Sequence, residues 1–115
     1  MRRGDIVDVD IPRPRGTPGR EQFGLRPAIV IQQNQHIANL ATVVIVPMTS
    51  NLKALTRDGV LAIDPDSQNG LDTKSVALVN QIATYDKRRV KRQRGRLSSD
   101  DLQRVELLIR SFLGL

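Results

Sequence analysis

The chain of 115 residues contains no cysteine and no tryptophan, one histidine, and three aromatic residues in all, Phe23, Tyr85 and Phe112. Without cysteine there are no disulfide staples, no thiolate zinc sites and no cysteine nucleophile, a composition that suits a reducing cytoplasm. With His36 as the single histidine, a two-histidine acid and base pair cannot be assembled within one chain, and a lone histidine in a polar stretch reads as a loop residue. Three aromatics are too few for the base-stacking platform of a general single-strand binder. The N-terminus, MRRGDIVDVDIP, is charged from its second residue and lacks the apolar stretch of a signal peptide, and no later run approaches a membrane span. The expectation is a cytoplasmic protein without membrane contact.

What the chain has in excess is positive charge. The formal net charge is +6, from 18 Lys+Arg against 12 Asp+Glu, and such a surface favours polyanions. KRRVKRQRGR (87–96) holds seven basic residues in ten, and residues 2–26 hold six arginines. Either cluster can track a phosphate backbone, or form a solvated face as most charge runs do. The hydrophobic content of 39% is that of a folded chain, and the length predicts one domain spanning 1–115.

DIVDVDI (5–11) alternates Val7, Val9 and Ile11 with Asp8 and Asp10, the pattern of a half-buried strand with solvent-facing aspartates. PRPRGTPGREQFG (12–24), with three prolines and three glycines, is a loop long enough to serve as a substrate lid. AIVI (28–31), opened by Pro27, and TVVIVPM (42–48), ended by Pro47, are apolar runs expected to form central strands. VLAI (60–63) is a shorter strand between turn signals. KSVALVNQIAT (74–84) reads as the longest strand, with the amides of Asn80 and Gln81 on opposite faces. At the C-terminus Ser98 and Asp101 form a capping-box pattern, and Leu102, Val105, Ile109 and Phe112 recur at helical spacing. Leu108 and Leu113 widen that stripe. Five strands and one terminal helix predict a mostly β fold, a small twisted barrel or half-barrel closed by the helix.

Metal chemistry has little support in these residues. DPDSQNG (64–70) resembles a calcium loop, yet glycine arrives one place late at Gly70 and Ser75 stands where the final glutamate belongs, so the segment reads as a turn. Asp8 and Asp10 have no third ligand at a suggestive spacing. The chemistry-bearing residues left are Glu21, Arg26, Thr49, Ser50 and Gln81, all beside strand ends.

The order RGDIVDVD, EQFGLRPAIVI, VVIVPMTS, Gly70-Leu71, Ser75, NQIATYDK and a terminal amphipathic helix resembles the MazF/PemK family of toxins over nearly the whole chain. The resemblance implies an SH3-like or CcdB-like twisted β-barrel that forms a homodimer, cuts single-stranded RNA at short sequences without a metal or other cofactor, and is inhibited by an acidic, MazE-like antitoxin. It places the family's arginine before proline at Arg26, its threonine at Thr49 and its first-loop acid at Glu21, as catalytic candidates. Ser50 and Gln81 fall on positions that line the same groove. Arg20 stands where many members carry serine or histidine, and with Phe23 it is a candidate RNA contact.

RNA carries its own nucleophile, the 2′-hydroxyl. An enzyme has to hold it in line with phosphorus, help remove its proton and stabilise the added negative charge. Arg26, planar and permanently charged, suits the last task, with Thr49 adding a neutral donor. Glu21 is the general-base candidate, although a neighbouring arginine favours its ionised form and weakens it as a base. The division of acid and base roles stays open. The expected products are a 2′,3′-cyclic phosphate and a 5′-hydroxyl. Two other readings share this sequence, a gyrase-poisoning toxin of the same fold and an RNA-binding module without cleavage.

Overall fold

The computed structural model describes residues 1–16, 19 and 23–115. Seven strands are found among them: β1 (Asp5–Ile11), β2 (Gly24–Val30), β3 (Thr42–Thr49), β4 (Val60–Ile63), β5 (Ser75–Leu78), β6 (Ala83–Asp86) and β7 (Val90–Arg96). Two α-helices join them, a single turn α1 (Asn34–Ile37) and the terminal α2 (Ser99–Leu113). Every ladder is antiparallel, in the order β4-β5-β3-β2-β1-β7, with β6 also on β3. The mostly β fold with one C-terminal helix is the expected one, and no ladder joins its end strands β4 and β7.

The central strands are apolar on both faces because both faces are covered. Ile6, Ile29, Val46, Met48 and Ala77 point to one side, where Val105 of α2 completes a buried cluster with Leu102, Leu108 and Ile109 packed against it. Val7, Val9, Ile11, Ala28, Val30, Val43 and Ile45 point to the other, closed by Ile37 of α1, Phe23, Tyr85 and Val90. Phe112 and Leu113 continue the helical stripe past the core and are exposed.

Several sequence expectations are corrected. Pro27 lies inside β2, opposite Asp8, on the part of the strand that pairs only with β1. Pro47 likewise lies inside β3 and does not end it. On that side of β3 the ladder to β6 stops at Ile45 and the ladder to β5 begins at Met48, so a residue without N–H costs little there. The opposite chain explains the gap: residues 74–84 are not one strand. They break at a 3₁₀ turn, Val79–Gln81, so Asn80 and Gln81 sit in a turn and not on two faces of a strand. Asn80 donates its backbone N–H to the Gly59 carbonyl at 2.9 Å. His36 belongs to α1 and not to a loop. The basic run 87–96 is a short turn followed by β7, and with the split of 74–84 into β5 and β6 this raises the strand count from five to seven. Asp86 caps that turn, and its hydrogen bond from the Arg88 side chain is the chief influence holding its carboxyl below the usual range.

Asp8 is not solvent-facing. It is 5% exposed, and its carboxylate is gripped from β7 by Arg92 and Arg94. Asp5, equally buried, pairs with Arg96 at 2.9 Å and accepts from the Arg2 backbone N–H. Arginines at alternate positions of β7 thus meet the acids of β1, and these ion pairs hold a strand that has almost no apolar residues.

At the start of α2, Ser98 Oγ accepts from the Asp101 N–H at 3.1 Å, as the sequence implied. The Ser98→Ala variant removes that cap and is expected to lose about 1 kcal/mol, read as a melting temperature lowered by roughly 4 °C.

Candidate functional site

Where β2 begins and β3 ends, the two strands leave their ladder. Continuing the register from Ala28 opposite Pro47 sets Pro27 against Met48 and Arg26 against Thr49, but pairing stops at Ala28. The strands part there around a depression of about 200 Å³. Arg26, Thr49 and Ser50 line it together with Asp72 and Thr73 from the loop before β5, Ser75 from the start of β5, and Arg94 from β7.

Among the described residues Arg26 is held at one end only: its Nε donates to the Phe23 carbonyl at 3.0 Å, and neither terminal nitrogen has a described hydrogen-bond partner. No described carboxylate lies within ion-pair distance of it. Phe23 is half-buried against the second apolar cluster, with the Arg13 guanidinium 5.1 Å above its ring. The packed ring therefore fixes the carbonyl that orients Arg26, a positioning duty that its polar sequence neighbours conceal.

Thr49 is buried to 8% exposure, and its Oγ1 accepts from the Asn51 N–H at 3.2 Å. Accepting that bond leaves the hydroxyl proton free to be donated into the depression. Ser50, one residue on, is exposed. Ser75 is already committed, its hydroxyl donating to the Thr73 carbonyl at 3.1 Å.

Arg94 was hidden in the basic run. Its Nε donates to Asp8 Oδ1 at 2.8 Å and its Nη1 to the Gly70 carbonyl at 3.2 Å, so the guanidinium is fixed on two sides while lining the depression that Arg26 also lines. The signal that locates it is the alternation of arginine at 92, 94 and 96, a strand pattern written in charge. The neighbouring loop is rigid for a local reason. Asn69, fully buried, accepts from the N–H groups of Asp66 and Leu71 and donates to the Asp64 carbonyl, which confirms a turn at 64–70.

Of the residues singled out by sequence, the structure brings Arg26, Thr49 and Ser50 together. Gln81 lies in the turn after β5 and is not among the described residues lining this depression. Glu21 and Arg20 lie outside the described residues. Two arginines and two hydroxyls around one small space form a site for a tetrahedral anion: guanidinium gives paired charge-assisted donors, and the hydroxyls give neutral ones. Among the described residues no group of three or more His, Asp or Glu side chains is placed to hold a metal ion. No helix among them is long and apolar enough to cross a membrane.

Comparison with known proteins gives the family. Residues 2–113 match the family described as PemK-like, MazF-like toxin of type II toxin-antitoxin system. The whole chain is 33% identical to a protein of Staphylococcus saprophyticus named "Endoribonuclease MazF", and covers 92% of it. Among solved structures, MazF of Deinococcus radiodurans superimposes with a TM-score of 0.79 at 24% identity, over 100% of this chain and 97% of that one. A mycobacterial "Endoribonuclease in complex with its cognate antitoxin" gives 0.73 at 21% identity, over 100% and 94%. With the match running from Arg2 to Leu113, the chain belongs to the PemK-like, MazF-like family of toxins of type II toxin-antitoxin systems.

Proposed function

We propose that the protein is a sequence-specific endoribonuclease toxin that cleaves single-stranded RNA without a metal, by attack of the 2′-hydroxyl on the adjacent phosphorus. The convergence of Arg26, Arg94, Thr49 and Ser50 on one depression carries the reading. The attacking oxygen belongs to the substrate, so the protein's tasks are to align the phosphodiester and to stabilise the charge that grows on its non-bridging oxygens. Arg26 presents two nitrogens to those oxygens, and Thr49 donates a third hydrogen bond. The described lining holds a single carboxylate, Asp72, and no histidine, so neutralisation of the phosphate falls to the arginines. Glu21, three residues before β2 in the sequence, is proposed as the group that takes the 2′-hydroxyl proton. The leaving group departs as a 5′-hydroxyl and the other fragment keeps a 2′,3′-cyclic phosphate.

Residues 1–115 are read as one cytoplasmic toxin domain. Arg20, Phe23, Ser50 and Gln81 are proposed RNA contacts beyond the scissile phosphate. The partners are an acidic antitoxin, suited to a chain of net charge +6, and a second copy of the chain. Phe112 and Leu113, exposed at the end of the apolar stripe of α2, support the homodimer.

Incubation with a long structured RNA in excess chelator, followed by mapping of fragment 5′ ends, tests the reading. Cuts at one recurring short sequence, ending in 5′-hydroxyls, are expected. RNA that stays intact while the protein demonstrably binds it would favour a non-cleaving binder, and a rate that collapses in chelator would overturn the metal-free chemistry.

A further inference from the structure

Arg94 and Pro27 each face two depressions. One is the site described above. The other, of about 290 Å³, lies on the far side of Arg94 and is lined by Asp8, Leu25, Pro27, Lys91, Arg92 and Arg94. Asp8 is its floor. One carboxylate, 5% exposed, receives Arg94 Nε at 2.8 Å and both Nε and Nη2 of Arg92 at 3.1 Å. Two guanidiniums and the Lys91 ammonium against a single buried carboxylate leave this hollow net positive. Its charges differ in availability, for the Arg92 side chain is 66% exposed and that of Arg94 only 22%. Leu25, 62% exposed, adds an apolar wall to an otherwise cationic hollow.

We infer that this second hollow is a subsite for the phosphodiester next to the scissile one, with Arg92 as its principal contact, Leu25 packing against the adjoining nucleoside, and Asp8 as the positioning residue for both arginines. The inference rests on the endoribonuclease reading. Pro27 and Arg94 line both depressions, so a backbone leaving the first over Pro27 enters a hollow whose Arg92 side chain is 66% exposed. Because Asp8 is buried and shared, it fixes the two guanidiniums relative to each other, so one carboxylate sets the spacing between two phosphate contacts. With Nε and Nη2 turned to Asp8, Arg92 presents Nη1 to the substrate, on a side chain that is 66% exposed.

Steady-state cleavage of a short RNA carrying the mapped site provides the test. Arg92→Gln is expected to raise KM about tenfold, equivalent to roughly 1.4 kcal/mol, with kcat within about twofold. The slope of log binding against log salt should become shallower by roughly 0.7, the value for one lost phosphate contact on a single strand. A neutral methylphosphonate at one linkage flanking the scissile bond should weaken the wild-type protein equally and have no further effect on Arg92→Gln. Asp8→Asn is expected to raise KM in the same way, with Asp8→Glu restoring part of it, a split that a general loss of folding does not give. Wild-type KM and salt slope in both Arg92→Gln and Lys91→Gln, with cleavage intact, would overturn the subsite alone. RNA left intact by the wild-type protein would overturn the endoribonuclease reading and the subsite with it.

Discussion

Replacing Arg26 by alanine should lower kcat for RNA cleavage by about 10² to 10³ while changing the affinity for uncleaved RNA only a few-fold. The magnitude is that of removing one preorganised donor from a site where charge develops in the transition state. Arg26 is exposed, its backbone is already in β2, and its one described side-chain tie is the bond from Nε to the Phe23 carbonyl. Truncation therefore removes charge without opening the core, and the melting temperature should stay within about 2 °C, as for most surface substitutions. Binding survives because Arg94, Arg92 and Lys91 remain, and ground-state affinity for a polyanion is spread over many contacts. Arg26→Lys should recover only part of the rate, since an ammonium restores the charge but not the planar pair of donors. Single-turnover cleavage measured beside equilibrium binding separates the possibilities. A parallel loss of cutting and binding would reduce Arg26 to a phosphate anchor, and an unchanged rate would remove it from the chemistry.

Legibility in this sequence followed the hydrophobic pattern. β1, β3 and β4 were found because Val7, Val9 and Ile11 alternate, Val43 to Val46 are continuous, and turn signals bracket Val60 to Ile63. Helix α2 announced itself through Ser98 and the spacing of Leu102, Val105 and Ile109. β7 stayed hidden because its inward contacts are ionic. Arg94 and Arg96 point at Asp8 and Asp5, so the alternation is in charge and a search for apolar periodicity passes over it. The break at Val79–Gln81 was invisible for the opposite reason: the run from Ser75 to Thr84 is uniformly compatible with a strand, and only the pairing of β3 with two partners in turn interrupts it.

The site divides along the same line. Arg26 and Thr49 could be singled out because each adjoins a strand end and the ordered motifs resemble one family. The depression they share with Arg94, Asp72 and Thr73 depends on where β2 leaves β3 and on a loop docking against β7, both non-local facts. Asp8 is the clearest case. Alternation put it on the face opposite Val7 and Val9, correctly, but whether that face met water depended on a neighbouring strand that the pattern did not reveal.

That docking supplies the largest expected effect on stability. The loop at Gln68–Gly70 and strand β7 approach backbone to backbone, with Arg96 donating its N–H to the Gln68 carbonyl at 2.9 Å. A methyl group built on Gly95 would stand 2.6 Å from the Asn69 carbonyl carbon and closer still to the Gln68 oxygen. One built on Gly70 would stand 2.7 Å from the Arg94 carbonyl carbon, and Gly70 also has φ of +70°, a conformation unfavourable to any residue with a side chain. Gly70→Ala is therefore expected to cost about 1 to 2 kcal/mol for backbone conformation and about 1 to 3 for forcing the two segments apart. Together these lower the melting temperature by roughly 8 to 20 °C in a chain of this size. Gly95→Ala meets only the second penalty and should lose about half as much. Both variants displace the carbonyl or the strand that holds Arg94, so cleavage should fall below what the unfolded fraction explains, even well under the melting transition. Arg26→Ala gives the reverse combination, full stability with little activity. If Gly70→Ala melted with the wild type, the close approach of loop and strand would not hold in solution, and the fixed position of Arg94 beside Arg26 would lose its support.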